Sequence, residues 1–187
     1  MSLCLKQIDE SIEFMDKKYD ANFCQWIRNE DNCKIVGTNL KKYLSKYRDS
    51  EVITVVKWIV KDWTLKSIIL LSKKMILEGI LSLNGEEYSK RVRILSGLIY
   101  TWNPIFISEF LLASTAEFTK SQKTDFLVCV LNVFDSKKLS EILSQIECRT
   151  DPEVKKELAK KFKDSIYSHS GDRWKRTSSM LEAYNLI

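Results

Sequence analysis

A chain of 187 residues is long enough to form one domain of ordinary size with a substantial hydrophobic core. Its five glycines and two prolines are too few for the many turns of a β-sandwich or β-barrel, so the composition favours helices joined by short connections. The net charge is +5, and most of it lies between Lys137 and Arg176, where eleven basic residues accompany seven acidic ones.

The cysteines and the single histidine argue against a metal centre. Five cysteines occur, none at Cys-x-x-Cys spacing, and His169 is the only histidine, so the usual Cys/His zinc sets cannot be assembled. Cys24 and Cys129 lie among apolar residues and are expected to be small core side chains. The odd number of cysteines indicates a reducing compartment, and no metal or cofactor is predicted.

The chain shows no sign of export or membrane insertion. The N-terminal stretch MSLCLKQIDESIEF has acidic residues early and no long apolar run, so it does not resemble a signal peptide. No stretch approaches the ~18 uncharged apolar residues that a membrane span requires. We therefore expect a protein that is neither secreted nor embedded in a membrane.

Helical periodicity marks the first half of the chain, because apolar residues recur every three to four positions. A long, largely buried helix is predicted over residues 65–83, and Asn84-Gly85 is interpreted as the turn that ends it. Three earlier helices are marked by Leu5, Ile8, Ile12 and Met15; by Phe23, Trp26 and Ile27; and by Leu40, Tyr43, Leu44 and Tyr47.

The valine-rich stretch KYRDSEVITVVKWIVKDW, residues 46–63, is ambiguous because β-branched residues favour strands. An alternating strand would place Lys57 on the same face as Val55 and Ile59, which does not suit a half-buried sheet. Helical spacing fits better, and we predict a helix capped by Asp49 or Ser50. Its buried face would consist of Val52, Val55, Val56, Ile59, Val60 and Trp63.

Helix boundaries are better marked in the second half of the chain. Asn103 and Pro104 predict an N-cap and a first helical residue, and Thr119 with Gln122 predicts a capping box. A further helix should open at Asp151, and a last one should follow Gly171. The residues expected to point inward are Val92, Leu95, Leu98, Ile99, Leu139, Ile142, Leu143 and Ile146.

Together these elements predict an all-α fold. We expect a single domain over residues 1–187, with about 10–11 antiparallel helices in HEAT-like or bundle-like packing and an internal turn near residues 84–85. An internal similarity favours the HEAT-like form, since DSEVITVVKWIVKD aligns with DPEVKKELAKKFKD at an offset of 102 residues.

A search for catalytic residues finds no recognisable set. The sequence has no Gly-x-Gly-x-x-Gly motif, no phosphate-binding loop and no Gly-x-Ser-x-Gly elbow. The paired carboxylates Glu86 and Glu87 stand at a predicted helix start, where the helix dipole explains them. We therefore predict that the chain is not an enzyme.

The tryptophans divide into candidates for the core and candidates for binding. Trp63 and Trp102 end apolar helices and are expected in the core. Trp58 lies off the apolar stripe and Trp174 lies within DRWKR, so either ring could contact a partner or pack within the fold. The predicted partner-binding residues are Trp58, Lys57, Lys61 and Trp174.

Residues 42–63, KYLSKYRDSEVITVVKWIVKDW, resemble the closing helices of the N-terminal domain of transcription elongation factor S-II. In that pattern, a leucine and a basic residue precede Asp-x-Glu-Val and a hydrophobic helix that ends in Lys-x-Trp. The matching positions are Leu44, Lys46, Tyr47, Asp49, Glu51, Val52, Lys57, Ile59, Val60, Lys61 and Trp63. The similarity covers residues 23–63, but Val56 replaces the usual small residue and no zinc ribbon follows.

The resemblance implies a function in protein assembly. Members of this family, like the related modules of elongin A and a Mediator subunit, bind short disordered motifs in grooves between helices. It implies a non-enzymatic scaffold or adaptor in a nuclear, transcription-linked complex, with the cytoplasm as the other expected location.

The alternative hypothesis is an RNA- or DNA-binding helical module, such as a component of ribosome assembly. Its basis is the positive charge near the C-terminus, which would contact phosphates. The predicted nucleic-acid-binding residues are Lys155, Lys156, Lys160, Lys161, Arg173, Lys175 and Arg176.

Overall fold

The computed structural model describes residues 21–154, 156–158 and 160–161. In these residues every regular element is helical and no strand occurs, which confirms the predicted all-α class. The predicted helices around Leu5–Met15 and after Gly171 lie outside the described residues. The chain divides into two compact units, Met1–Leu98 and Ile99–Ile187. The single domain, the helix count and the HEAT-like packing stay predictions.

The first unit contains α1 to α4 and nearly all of α5. Their bounds are α1 Ala21–Ile27, α2 Cys33–Lys41, α3 Asp49–Ile59, α4 Leu65–Ser72 and α5 Gly85–Ile99. A 3-10 turn, Glu30–Asn32, precedes α2. A π-helical turn, Lys73–Leu77, continues α4, and a second 3-10 turn, Ile80–Ser82, follows it.

The core of the first unit includes the contact of α2 with α4 and with the π-helical turn. Gly37 allows this contact, since a Cβ at that position would lie 2.7 Å from the carbonyl oxygen of Leu71 and 3.0 Å from Cβ of Lys74. Val36 and Leu71 are completely buried, and Leu40 is nearly so. The glycine therefore brings two apolar helices to a short separation.

The helix predicted from Leu40, Tyr43, Leu44 and Tyr47 is misplaced. The observed helix, α2, lies earlier and ends at Lys41, and residues 42–46 form turns. Tyr43 and Leu44 are nevertheless buried. Their apolar spacing reflects packing of an irregular segment, and a spacing pattern alone cannot distinguish that from a helix.

The valine-rich stretch is a helix, as predicted, and all six residues of its proposed buried face are buried. Its N-cap is Arg48, not Asp49 or Ser50, because Arg48 is extended and both following residues are already helical. The Arg48 backbone N–H donates to the Glu51 carboxylate at 2.8 Å. The helix ends at Ile59, so Trp63 joins the core from the connection that follows it.

The long helix predicted over residues 65–83 is interrupted. Regular α-helix stops at Ser72, the π-helical turn ends at Leu77, and Gly79 has a left-handed φ of 77°. Gly85 also has a positive φ, of 57°, but it is the first residue of α5, so Asn84-Gly85 precedes a helix and does not end the predicted one. Both sites need a residue that tolerates left-handed backbone, and glycine does so without a Cβ clash.

Arg91 on α5 closes the end of the interrupted helix. Its side chain is buried, and its guanidinium donates to the carbonyl oxygens of Ile76 at 3.0 Å and Glu78 at 3.2 Å. It also donates to the Glu87 carboxylate at 3.0 Å. Because Gly79 leaves the helical conformation, these carbonyl oxygens need hydrogen-bond donors from elsewhere in the fold. Arg91 donates to both, and Lys41 also donates to the Glu78 carbonyl at 3.2 Å.

The second unit contains α6 Pro104–Ser114, α7 Lys120–Leu131 and α8 Ser136–Glu147, and α6 packs against α8. Residues 152–154, 156–158 and 160–161 are also helical. The predicted caps are confirmed: Asn103 accepts from the Phe106 N–H at 2.8 Å, and Thr119 and Gln122 form a capping box. The eight residues predicted to point inward are all buried.

Three residues that were predicted to lie in the core are not fully buried. Cys129 is exposed on α7, and Cys24 is only partly buried on α1. Trp102 is partly exposed, and its ring lies edge-to-face with Phe106 and Phe110 at 5.1 and 5.3 Å between ring centroids. For the two cysteines, apolar neighbours in the sequence were a poor guide to which side of the helix faces the core, and Trp102 lies in the connection before α6.

Gly37→Ala is expected to lower the free energy of unfolding by about 1–3 kcal/mol, because the added methyl would overlap the Leu71 backbone. Alanine's higher helix propensity offsets about 1 kcal/mol of that overlap. Gly97→Ala is the matched variant, since its methyl would meet the end of the flexible Ile53 side chain. Urea denaturation should show a clear loss for the first variant and a much smaller change for the second.

Arg91→Met is expected to destabilise the chain by about 2–4 kcal/mol, because it removes the guanidinium that donates to the buried Ile76 carbonyl oxygen and pairs with Glu87. Arg93→Met provides the comparison, since the Arg93 side chain is 50% exposed and pairs only with Asp49. Its loss should amount to about 1 kcal/mol or less. Equal shifts of the urea midpoint for the two variants would contradict the role given to Arg91.

Candidate functional site

A cleft lies in the first unit between α1 and the connection from α3 to α4. Its volume is about 550 Å³ and it opens to solvent. We call it the corner cleft, and its lining residues are Cys24, Gln25, Arg28, Asn29, Glu30, Ile59, Asp62 and Trp63. The residues come from three separate elements, so tertiary packing builds the cleft.

Two hydrogen-bonded ties hold the walls of the corner cleft together. The buried Trp63 donates its indole N–H to the Arg28 carbonyl oxygen at 2.6 Å. The Glu30 carboxylate accepts from the Thr64 backbone N–H at 2.9 Å and from the Thr64 hydroxyl at 2.8 Å. Thr64 is also the N-cap of α4, so Glu30 is tied directly to a helix start.

The Glu30 carboxyl group is held in its ionised form. Its pKa lies below the ordinary value of 4.5, first because of the hydrogen bond from the Thr64 backbone N–H and then because of the Thr64 hydroxyl. Both donors stabilise the negative charge. This tie therefore weakens when the carboxylate takes up a proton.

Arg28 links the corner cleft to the predicted binding residue Trp58. Its guanidinium lies 5.7 Å from the centroid of the Trp58 ring, and it forms an ion pair with Asp62. Trp58 is partly exposed. A guanidinium held over an indole face presents a flat surface with both apolar and charged character at the rim of the cleft.

Of the predicted residues, Trp58 lies beside Arg28 at this rim, and Lys57 and Lys61 are its neighbours along the chain. Lys57 is partly exposed and Lys61 fully exposed, and neither forms an ion pair with a described residue. Asp62 is paired with Arg28, whereas the Glu30 carboxylate accepts from neutral Thr64 groups and keeps its negative charge. Lys57 and Lys61 therefore bring two positive charges beside Trp58, against one carboxylate, Glu30, that forms no ion pair with a described residue. The fourth predicted residue, Trp174, lies outside the described residues.

Three of the seven predicted nucleic-acid-binding residues lie within the described part of the chain. Lys156 and Lys160 are exposed and lie one helical turn apart. Lys161 contacts Asp125 at 2.6 Å and Glu157 at 3.2 Å, and the hydrogen bond to Asp125 is the main reason that its pKa is raised. Lys155, Arg173, Lys175 and Arg176 lie outside the described residues.

Within the described ranges, no group of three His, Cys, Asp or Glu side chains could hold a metal ion. No described helix combines the length and the apolar character needed to cross a membrane.

Sequence reasoning missed Arg28, Glu30 and Thr64. Thr64 had a usable signal, because a threonine directly before an apolar helical run is a common N-cap. Arg28 and Glu30 had none, since each finds its partner about 34 residues further along the chain. Only the fold brings them to one place.

Comparison with known proteins does not assign a family: no protein-family model, curated protein or solved structure matches the chain. The resemblance of residues 23–63 to the S-II domain therefore rests on the residues quoted for it. The contacts of the corner cleft are the main structural basis for a proposed function.

Stability should fall when Glu30 becomes protonated. Because its folded-state pKa is lowered, its contribution is fully present above about pH 4.5 and is lost as pH falls through the folded value. In Glu30→Gln this contribution is absent at every pH. Urea midpoints measured from pH 7 to pH 3 should therefore fall less in the variant than in the wild type; parallel curves would contradict the assignment.

Proposed function

We propose that the chain is a non-enzymatic adaptor for protein–protein interaction, and that its partner binds at the corner cleft. The observation that carries this proposal is the partly exposed Trp58, held beneath the Arg28 guanidinium and flanked by Lys57 and Lys61. Tryptophan and arginine are the residue types that dominate binding energy in protein interfaces.

The shape and charge of the corner cleft support a particular kind of partner. The cleft is open and lined by residues of mixed polarity, so it suits a short segment of chain better than a small molecule enclosed on all sides. The unpaired lysines at the rim favour carboxylates on that segment, and the Trp58 ring favours an apolar side chain.

Placement in a nuclear complex linked to transcription is part of the same proposal. It is supported by the resemblance of residues 23–63 to the S-II domain, in which a helical module binds short disordered motifs. Within this region the corner cleft takes residues from both ends, from Cys24 to Trp63. The proposed binding surface therefore coincides with the segment that carries the resemblance.

Nucleic-acid binding is the second candidate, in a component of an RNA-containing assembly such as a ribosome-assembly factor. The observation in its favour is the pair Lys156 and Lys160, both exposed on one side of a helix. Lys161, by contrast, has its charge compensated by Asp125 and Glu157.

Affinity capture from a nuclear extract tests the adaptor proposal. Proteins enriched by the wild-type chain should be depleted about tenfold or more with Trp58→Ala and with the double variant Lys57→Glu/Lys61→Glu, because an interface anchor is worth roughly 1–2 kcal/mol or more. Quantitative mass spectrometry provides the measurement, and circular dichroism confirms that each variant remains folded.

The charge-matched control is Lys34→Glu/Lys137→Glu, which reverses two exposed lysines that are not among the lining residues of the corner cleft. It should retain the same proteins as the wild type. Equal loss with the control, or no loss with either rim variant, would count against the corner cleft as the binding surface.

A further inference from the structure

A second basic surface lies at the opposite end of α3 from the corner cleft. The turn after α2 contributes Lys42, Lys46 and Arg48, and α5 contributes Lys90 and Arg93. Lys90 donates to the Tyr47 carbonyl oxygen at 2.7 Å, and Arg93 donates to the Asp49 carboxylate at 2.7 Å. These contacts join the two segments into one surface, which we call the basic edge.

The basic edge has more cations than its own carboxylates can compensate. Lys42, Lys46 and Arg48 are exposed, and none forms an ion pair with a described residue. Asp49 alone faces both Lys90, at 3.9 Å, and Arg93, at 2.7 Å. The Glu51 carboxylate accepts from the Arg48 backbone. Glu86 is exposed one helical turn before Lys90, so five cations share three carboxylates, those of Asp49, Glu51 and Glu86.

Neighbouring basic residues show that this excess is local. Lys41 contacts Glu78, and Arg91 is buried against Glu87 and two carbonyl oxygens. In the second unit, Lys120 contacts Asp151 and Glu153, and Arg149 contacts Glu109. By contrast, Lys42, Lys46 and Arg48 of the basic edge are exposed without such compensation among the described residues.

Aromatic rings lie among these cations. The Lys46 ammonium lies 5.2 Å from the centroid of the Tyr43 ring, and the Tyr43 and Tyr47 rings are 6.2 Å apart and tilted at 58°. Tyr43 is buried, whereas Tyr47 is partly exposed at the surface. Alternation of basic and aromatic residues is a common feature of surfaces that bind single-stranded nucleic acid.

We propose that the basic edge binds single-stranded nucleic acid. Lys42, Lys46 and Arg48 contact successive phosphates, Lys90 and Arg93 extend the contact along α5, and Tyr47 offers a ring edge or face to a base. A phosphate backbone carries a regularly repeated negative charge, which matches cations distributed along a turn and a neighbouring helix. The residues of this site are different from those of the adaptor surface at the corner cleft and from the C-terminal lysines.

Fluorescence anisotropy with a labelled 12-nucleotide oligouridine tests the proposal on the full chain. The wild type should bind with an affinity that falls steeply between about 50 and 200 mM salt, because binding releases counterions. Lys42→Gln/Lys46→Gln should weaken binding roughly 10- to 100-fold at about 50 mM salt, and it should reduce the slope of log Kd against log salt by about 1.4.

Two control variants locate the site. Lys66→Gln/Lys137→Gln removes two exposed lysines elsewhere and should bind as the wild type does. Lys156→Gln/Lys160→Gln tests the C-terminal lysines and should also bind normally. Loss of binding in the latter variant with retention in Lys42→Gln/Lys46→Gln would overturn the proposal in favour of the C-terminal surface.

Asp49→Asn provides a test that loss of folding cannot imitate. It removes the carboxylate that compensates Lys90 and Arg93, so the oligouridine should bind several-fold more tightly and with a steeper salt dependence. Unchanged or weaker binding in a variant that melts at the wild-type temperature would contradict the proposed phosphate contacts.

Competition defines the class of ligand. Unlabelled single-stranded DNA of the same length should compete within about tenfold of oligouridine, since both share the phosphate chemistry, whereas a duplex and poly-glutamate should compete poorly. Competition by poly-glutamate equal to that of the oligonucleotide would overturn the proposal and indicate an acidic protein segment. Absence of oligonucleotide binding by the wild type at about 50 mM salt would overturn it as well.

Discussion

Burial of the valine-rich face of α3 is the constraint on which the first unit depends. Each β-branched residue lowers helix propensity by roughly half a kcal/mol relative to alanine, but burying each side chain contributes about 1.5 kcal/mol or more. Val52, Val55, Val56 and Ile59 are all buried. The helix is therefore stabilised by its core contacts. The basic edge lies at its N-terminal end, next to Arg48, and the corner cleft lies at its C-terminal end, next to Ile59.

Hydrogen bonds to the backbone position those ends more firmly than ion pairs do. Glu30 binds the N–H of Thr64, Trp63 binds the carbonyl of Arg28, and Lys90 binds the carbonyl of Tyr47. The exposed ion pairs around them are screened by solvent and contribute little by themselves. Lys42, Lys46, Arg48, Lys57 and Lys61 form no ion pair with a described residue, so their charges remain available to a partner.

The sequence predicted helices well and their boundaries unevenly. Where a local signal exists, as at Asn103 or at Thr119 with Gln122, the predicted cap is the observed cap. Between residues 65 and 83 the apolar pattern continues through a π-helical turn and Gly79, so periodicity conceals the break. Of the proposed binding residues, Trp58, Lys57 and Lys61 were predicted and lie together, whereas Arg28 beside them was not.

By itself, the sequence determined the all-α class, the caps of α6 and α7 and the buried valine face, because these depend on residues within a few turns of one another. Tertiary structure alone decided which charges are compensated. Arg28 meets Asp62, Asp49 meets Arg93, and Lys161 meets Asp125, each across more than thirty residues of chain. The charge of a surface depends on such distant pairs. A count of charges along the sequence therefore predicted a positive surface only near the C-terminus, whereas the fold brings a second group of cations together at the start of α3.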